Sequence, residues 1–562
     1  MPIRKIRQKI RDIHRLNKIM RILGKHGFGF VIQRLHLENY AFGKGVIKNR
    51  FFRYFAETQE PRAVRLRKVL EELGPTFIKF GQILSVRPDL IPLDLCEELS
   101  KLQDRVPPFP YEDVKKQIKD SFGKFPEELF SSFDPVPFAA ASLGQAHKAR
   151  LHTGENVVIK VQRPNLNKII TTDMDILNTF AQLADRYMQD IRVLNPITIV
   201  EEFSKVIRKE IDFTYEAHNM DKFRKNFKDN KTVHIPKVYW DYTKPMVMTT
   251  EEIQGIRLNE YLLQPHTIEE KKAVAVNGAN AVLQQIFIDG FFHADPHPGN
   301  IFVLPNNVSA FIDFGIVGRL DEDARNAIII LLIAVSKKNI PGIIKALELL
   351  GAIDEENPTR DLKNDINEFL ERHYDIPLKQ IEVPAMLHQA LDLMTRHKLK
   401  IPPQFHLLFK TFATIDGVAR QLDPEFNSIL HTKPFVEKLV HERYDPRRIF
   451  KDIEMYSNEL IEILKYIPKD AFEILRKIKK GTLKIEFEHQ GLSRFIAEMD
   501  KSSNRVSFSL VISALIIGSS LIIMANKGPF VYGFPALGIL GFVFAAIMGM
   551  GLAVGILRSG RL

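Results

Sequence analysis

FFHADPHPGNIFVLPNNVSAFIDFG, Phe291 to Gly315, decides how the rest of the chain reads. Asp295 is followed five residues later by Asn300 and eighteen residues later by Asp313. Two short apolar runs, 301–304 and 308–312, flank Pro305-Asn306-Asn307. Apolar runs around a Pro-Asn-Asn break predict a small hairpin, which brings Asn300 and Asp313 to one place. Phosphoryl transfer needs this set of side chains: a carboxylate to orient or deprotonate the nucleophile, with an Asn and an Asp to hold magnesium on the phosphates. Asp-Phe-Gly alone is common by chance. The hairpin and the two offsets together make the segment a candidate site.

Five residues is also the Asp-to-Asn offset of the protein-kinase catalytic loop, and Asp-Phe-Gly is the kinase metal-binding turn. His293 keeps the H-x-D of that loop, while Ala294 stands where its arginine would be. A nucleotide-binding half is then expected upstream. Ala139, Ala140, Ala141, Ser142, Gly144 and Gln145 form a turn before the β-branched run that ends at Lys160. They occupy the place of a Gly-rich phosphate loop, with Lys160 as the strand lysine that pairs with the phosphates. Alanine takes positive φ at a cost, so the loop is expected to form but to hold nucleotide differently. Lys160 needs an acidic partner from a helix. Within E-E-F-S-K-V-I-R-K-E-I-D-F-T-Y-E-A, Asp212 and Glu216 are four apart and are expected to share a helical face, with Glu216 as the partner. Lys79 and Gln82 project from another helical turn, K-F-G-Q, amid Phe77, Ile78, Phe80 and Ile83. A lysine in so apolar a turn calls for a carboxylate, and Glu210 and Asp212 are the candidates.

The chain has 562 residues, enough for two or three structural units, and a net charge of +11. Its one cysteine, Cys96, excludes an intramolecular disulfide and reads as a buried small hydrophobe. The charge is concentrated at the start: residues 1–60 hold fourteen Lys/Arg against four Asp/Glu. There Ile3, Ile6, Ile10, Ile13, Leu16 and Met20 form one helical stripe flanked by basic residues. Such a helix suits an anionic membrane surface; the alternatives are a stripe docked on the protein itself, or a transit peptide. No aromatic residues interleave with the charges, which argues against nucleic acid. At the other end, Val506 to Ala525 and Gly528 to Leu557 are charge-free, each long enough to cross a bilayer core of about 20 residues. Lys501, Arg505, Arg558 and Arg561 flank the pair, so both ends are expected to face the cytoplasm. Gly551 and Gly555 form a G-x-x-x-G, a candidate contact for a homodimer.

Assembled, these residues resemble the UbiB family of atypical protein-kinase-like proteins. The resemblance rests on K-F-G-Q, L-C-E-E-L-S-K-L-Q-D, the A-A-A-S-L-G-Q-A-H loop, V-V-I-K, the E-I-D motif, H-A-D-P-H-P-G-N and I-D-F-G, over about residues 60–320. It implies an α+β, protein-kinase-like two-lobe fold with an N-terminal helical extension and a C-terminal transmembrane hairpin similar to that of bacterial members. The expected divisions are 1–60 (basic, membrane-proximal), 61–135 (helical extension), 136–490 (kinase-like domain with a helical extension of its C-lobe) and 506–557 (two spans). It further implies ATP or ADP with Mg2+, held by Asn300 and Asp313, with Asp295 catalytic and Lys160 on the phosphates. Lys79 and Gln82 are then expected to fold over the peptide entrance as regulatory residues, contacting Glu210 and Asp212. The implied role is membrane-attached ATP turnover in isoprenoid-quinone (ubiquinone) biosynthesis at a bacterial inner membrane. Anionic lipid, quinone precursors and quinone-biosynthesis enzymes are the implied partners. A lipid or small-molecule kinase and a nucleotide-binding pseudokinase scaffold are the alternatives. Beyond Gly315 the chain runs directly into I-V-G-R-L-D-E-D-A-R-N-A-I, with no activation segment and no A-P-E.

Overall fold

A computed structural model describes residues 2–37, most of 60–443, 476, 479–480 and 492–558. The chain forms two compact units, Met1–Ile449 and Phe450–Leu562.

In the first unit an antiparallel sheet runs in the order β1 (Ser132–Phe133), β3 (Gly144–Arg150), β4 (Asn156–Gln162), β6 (Val247–Glu251), with β2 (Ala139–Ala140) also paired to β3. Strand alternation explains its two faces. Val157, Ile159 and Val161 of β4 are buried with Val247 and, from the helix Tyr111–Phe122, Val114 and Ile118. Lys160 points to the opposite side. A close approach fixes Gly144: a Cβ there would lie 2.5 Å from the Val161 carbonyl oxygen.

The second lobe is built on the helix Ile268–Leu283 and a small sheet ordered β5 (Val233–His234), β10 (Val308–Phe311), β9 (Ile301–Leu304), β7 (Ile256–Arg257). β9 and β10 form the expected hairpin, in register from Val308–Leu304 to Phe311–Ile301. Its turn places Asn306 and Asn307 at φ 64° and 58°, a conformation asparagine tolerates better than most residues. β11 (Val317–Arg319) pairs back onto β8 (Phe291–His293), and the helix Glu322–Ser336 begins at once, capped by Asp321. The kinase-like α+β fold follows from this arrangement, and no activation segment intervenes.

The N-terminal extension packs as its own apolar cluster. The helices Arg62–Leu73 and Pro75–Ser85 bury Val69, Leu70, Phe77 and Ile78 against Leu166–Tyr187 and Pro196–Glu210. The first helix, Pro2–Lys25, joins them: Ile19 and Ile22 are buried in this cluster and Met20 beside Leu183. Arg15 grips the buried Asp173 through Nε at 2.6 Å and the second guanidinium nitrogen at 2.9 Å, and also donates to the Leu73 carbonyl. The later half of the basic stripe is therefore docked on the protein, its basic flank used for anchoring. The side chains of Ile3, Ile6 and Ile10 lie outside the described residues.

The second unit contains the helices Leu492–Ala525 and Ala536–Arg558, joined by a short hairpin of β12 (Phe530–Val531) and β13 (Phe534–Pro535). Within them Ser502–Ala525 and Ala536–Val554 are long and apolar enough to cross a membrane, and most of their side chains are exposed. The two helices meet through Gly538 and Gly541, whose Cβ positions would collide with Ile523 and Ser519. Gly551 has nothing within 4 Å of that position.

Candidate active site

The cleft between the lobes collects the expected side chains from both. On the upper side Lys160 Nζ lies 2.7 Å from Glu216 Oε2 and 5.1 Å from the centre of the Phe213 ring. Glu216 comes from the helix Phe213–Asn226. Asp212, expected on the same helical face as Glu216, instead lies just past the end of one helix and caps the next. Its backbone is extended, and its carboxylate accepts from the Thr214 amide at 3.0 Å and the Thr214 hydroxyl at 2.6 Å. Aspartate favours this cap over a helix interior because its short side chain satisfies an otherwise unpaired amide. Glu210, at the end of the preceding helix, takes Lys79 at 2.7 Å.

Strand register sorts the residues from Ala139 to Gln145. Ala139, Ala146, Lys160 and Met248 are successive cross-strand partners and share the cleft face. Ala140, Gln145 and Val161 share the other face, so Ala140 and Gln145 do not line the cleft beside Lys160. Gln145 is a buried strut: its Oε1 accepts from the Phe109 amide at 2.8 Å, and its Nε2 donates to the Phe109 carbonyl at 3.2 Å. Ala141 closes the turn onto Gly144. Its carbonyl is held by Arg163, which also reaches the Pro107 carbonyl at 2.7 Å. Ser142 is buried in that turn. None of these alanines takes a positive φ, which is how the turn forms with alanine at 139–141.

On the lower side His293 ties the Asp295 loop to the Asp313 turn. The Asp295 amide donates to His293 Nδ1 at 3.1 Å, so that nitrogen carries no proton. Nε2 then holds the hydrogen and donates it to the Ile312 carbonyl at 3.0 Å. Burial keeps this imidazole below its ordinary pKa, which suits a neutral ring accepting through one nitrogen. Gln285 accepts from the His293 amide and Asn219 donates to the Phe314 carbonyl, both at 3.0 Å. Phe314 is buried between Phe223 and His293.

Asp313 adopts φ 61°, in the left-handed region that a non-glycine residue occupies at a cost and that recurs at functional sites. Desolvation by the surrounding groups would raise its carboxyl, but Lys160, then Lys79 and His293, outweigh that and hold it below the usual range. For Lys160 burial opposes the charge, and Glu216 and Asp313 overcome it, leaving the ammonium firmly protonated. Asn300 is buried, and its Nδ2 donates to the Asp295 carbonyl at 3.3 Å, so Oδ1 is the side-chain atom it could offer a metal. The Ile312 amide donates to the Asn300 carbonyl at 2.9 Å, which keeps Asn300 beside the strand that leads to Asp313. One carboxylate and one amide oxygen fit magnesium, which takes few protein ligands and completes its shell with phosphates and water.

Lys79 and Gln82 leave the helix Pro75–Ser85 toward the Glu210 carboxylate and, at 3.1 Å, the Leu102 carbonyl. The glycine between them sits where a Cβ would be 2.4 Å from Leu102 and 2.7 Å from Leu70, so K-F-G-Q needs glycine for packing. One neighbour of Asp295 escaped the sequence reading. Lys410, from the helix Pro403–Leu422, meets Asp295 Oδ1 at 2.9 Å. Its signal was the one that singled out Lys79: it is the lone Lys, Arg, Asp or Glu from Pro403 to Ile415.

Three family models match the chain: the ABC1 atypical kinase-like domain over residues 101–347, the UbiB helical domain over 366–427 and the ABC1/UbiB kinase-like C-terminal domain over 490–558. The first includes the helix Tyr111–Phe122 and β1, which pack into the upper lobe. The probable protein kinase UbiB of Pseudomonas aeruginosa is 37% identical over 420 residues, 74% of this chain and 78% of that protein. Protein sll1770 of Synechocystis is 34% identical over 82% of this chain and 80% of its own length. A protein from the hydrogenase 1 5′ region of Clostridium pasteurianum is 30% identical over 98% of this chain and all of its own. The solved complex of Rv3197 with erythromycin from Mycobacterium tuberculosis aligns with 64% of this chain and 92% of its own, at 26% identity and a TM-score of 0.46. With its kinase-like, helical and C-terminal segments all matched, the chain belongs to the ABC1/UbiB family of atypical kinase-like proteins.

Proposed function

We propose that this protein is a membrane-anchored, magnesium-dependent phosphoryl-transfer enzyme that turns over ATP in support of isoprenoid-quinone biosynthesis. One observation carries the reading: Lys160 and Asp313 bear on each other electrostatically across the cleft, while His293 and Asn300 tie the Asp313 turn to the Asp295 loop. Magnesium bound between Asn300, Asp313 and the phosphates would neutralise the charge that develops on the transferring group. Lys160, fixed by Glu216, holds the phosphates. Asp295 orients a water or hydroxyl and accepts its proton as the new O–P bond forms and the bond to ADP breaks. The sheet face of Ala139 and Ala146 covers the nucleotide with methyl groups.

Quinone biosynthesis comes from the family, and the lipid coupling from the second unit. Two long apolar helices flanked by Lys501, Arg505 and Arg558 favour a bilayer anchor with the kinase-like unit on the cytoplasmic side. Lipid-borne quinone precursors and the enzymes that use them are the proposed partners, and the basic first twelve residues a proposed contact for anionic lipid.

Purified full-length protein in anionic vesicles tests this. Mg-ATP hydrolysis is expected, and Asp313→Asn is expected to lower it at least 100-fold and to remove the thermal shift caused by Mg-nucleotide. Hydrolysis untouched by that change would place the site elsewhere. A phosphorylated lipid or phenol among the products would turn the reading to a lipid kinase.

A further inference from the structure

We infer that Lys410 is a positioning residue for phosphoryl transfer, an ammonium delivered by the helical extension to orient the Asp295 carboxylate. The inference rests on the function proposed above and adds to it a residue from outside the ABC1 kinase-like match at 101–347.

Lys410 Nζ holds Asp295 Oδ1 at 2.9 Å, while His297 faces the other oxygen from 3.9 Å. The hold is geometrically firm because the helix beneath is part of the lower-lobe core. Phe405, Leu408, Ile415, Val418, Ala419 and Leu422 are all buried there. The adjacent Thr411 turns its hydroxyl toward the His293 carbonyl, 3.5 Å away, and donates to the Leu407 carbonyl at 2.8 Å. One helical turn therefore reaches the catalytic loop at two points, at His293 and at Asp295.

An aspartate at the end of a loop rotates about its own side chain and offers either oxygen. An ammonium fixed on Oδ1 sets the plane of the carboxylate and leaves Oδ2 to take the nucleophile's proton. The same charge offsets the repulsion that arises when an anionic phosphoryl group approaches an anionic base. Proximity to the site in a stretch of sequence with no other charge distinguishes Lys410 from an ordinary surface lysine, whose pairs contribute little.

Steady-state ATP hydrolysis by full-length Lys410→Met, Lys410→Arg, Asp295→Asn and the double variant Lys410→Met/Asp295→Asn tests the assignment. Lys410→Met is expected to lower kcat by about 10- to 100-fold with KM for Mg-ATP within about twofold, since nucleotide is held elsewhere. Lys410→Arg should recover most of the rate. The double variant should be no slower than Asp295→Asn, because Lys410 acts through that carboxylate. Full activity in Lys410→Met beside an inactive Asp295→Asn overturns this inference alone, and so does a double variant whose losses multiply. Full activity in Asp295→Asn overturns the proposed function as well. Melting temperatures are read for every variant, with Lys410→Gln replacing the methionine variant should the latter melt early.

Discussion

Lys79 and Lys160 each sit 2.7 Å from a glutamate, yet the two pairs differ in what they leave open. Lys79 and Glu210 are both sealed, at 10% and 9% side-chain exposure. Lys160 keeps 26% while Glu216 keeps 8%. The sealed pair is a rivet between the K-F-G-Q helix and the end of Pro196–Glu210. The open pair is a hand held steady by its wrist: the glutamate is buried, and the lysine still reaches the cleft. Equal distances thus hide unequal roles, and the difference lies in which partner faces solvent.

The largest expected effect separates these roles. Lys79→Met leaves a buried carboxylate without its cation and should cost about 3–5 kcal/mol in urea denaturation. Lys160→Met should cost less stability, because burial already pushes the Glu216 carboxyl upward and it can take a proton instead. Its loss should appear as Mg-nucleotide binding, read by calorimetry. Equal destabilisation by both substitutions would break the comparison.

His293→Gln comes next. It removes the acceptor for Asp295 and the donor to Ile312, and should cost about 1–3 kcal/mol. The pH dependence sharpens this. His293 has a folded pKa below its ordinary value, so its contribution is present above that ordinary value and is lost as pH falls toward the folded one. The wild type should therefore lose stability more steeply than His293→Gln on going from pH 7 to pH 5. Parallel slopes would show that the ring is not held neutral.

Gly144→Ala tests the upper side of the cleft. A methyl 2.5 Å from the Val161 carbonyl must push β3 from β4, at about 1–3 kcal/mol, and should weaken nucleotide binding along with the fold.

The smallest effect has the opposite sign and shows what a buried carboxyl does without a lysine. Asp289, just before β8, is pushed up to about 6, chiefly by burial, with Asn226 and Arg325 pulling the other way. A raised carboxyl costs stability once pH rises through its folded pKa and costs nothing below its ordinary value. Asp289→Asn should therefore stabilise the protein at pH 8 by about 1 kcal/mol, allowing for partial exposure, and not at pH 4. Thermal melts at the two pH values check it.

Much of the lower side of the cleft was legible because it is local. Asp295, Asn300 and Asp313 are joined by a hairpin whose strands and Asn-Asn turn are written within the nineteen residues 295–313. The upper side was legible in part. Lys160 could be read from its strand and Glu216 from its helix, but the break at Asp212 was not. A four-residue spacing looks helical on paper, whereas aspartate gains more by capping. Register decided Ala140 and Gln145, and register depends on pairings that the turn composition did not specify. Lys410 lay furthest from reach, since its place beside Asp295 depends on how a distant helix packs.

Only six residues, 316–321, separate the Asp-Phe-Gly turn from the next helix, and three of them are zipped onto β8. Six residues span at most about 20 Å when fully drawn out, and these are not slack. A conventional kinase can park its metal-binding aspartate by swinging a long tether, then draw it back with a phosphate. Here the tether is a hinge pin. On the function proposed above, the Asp313 turn would meet its metal from a fixed position, whatever the state of the rest of the chain.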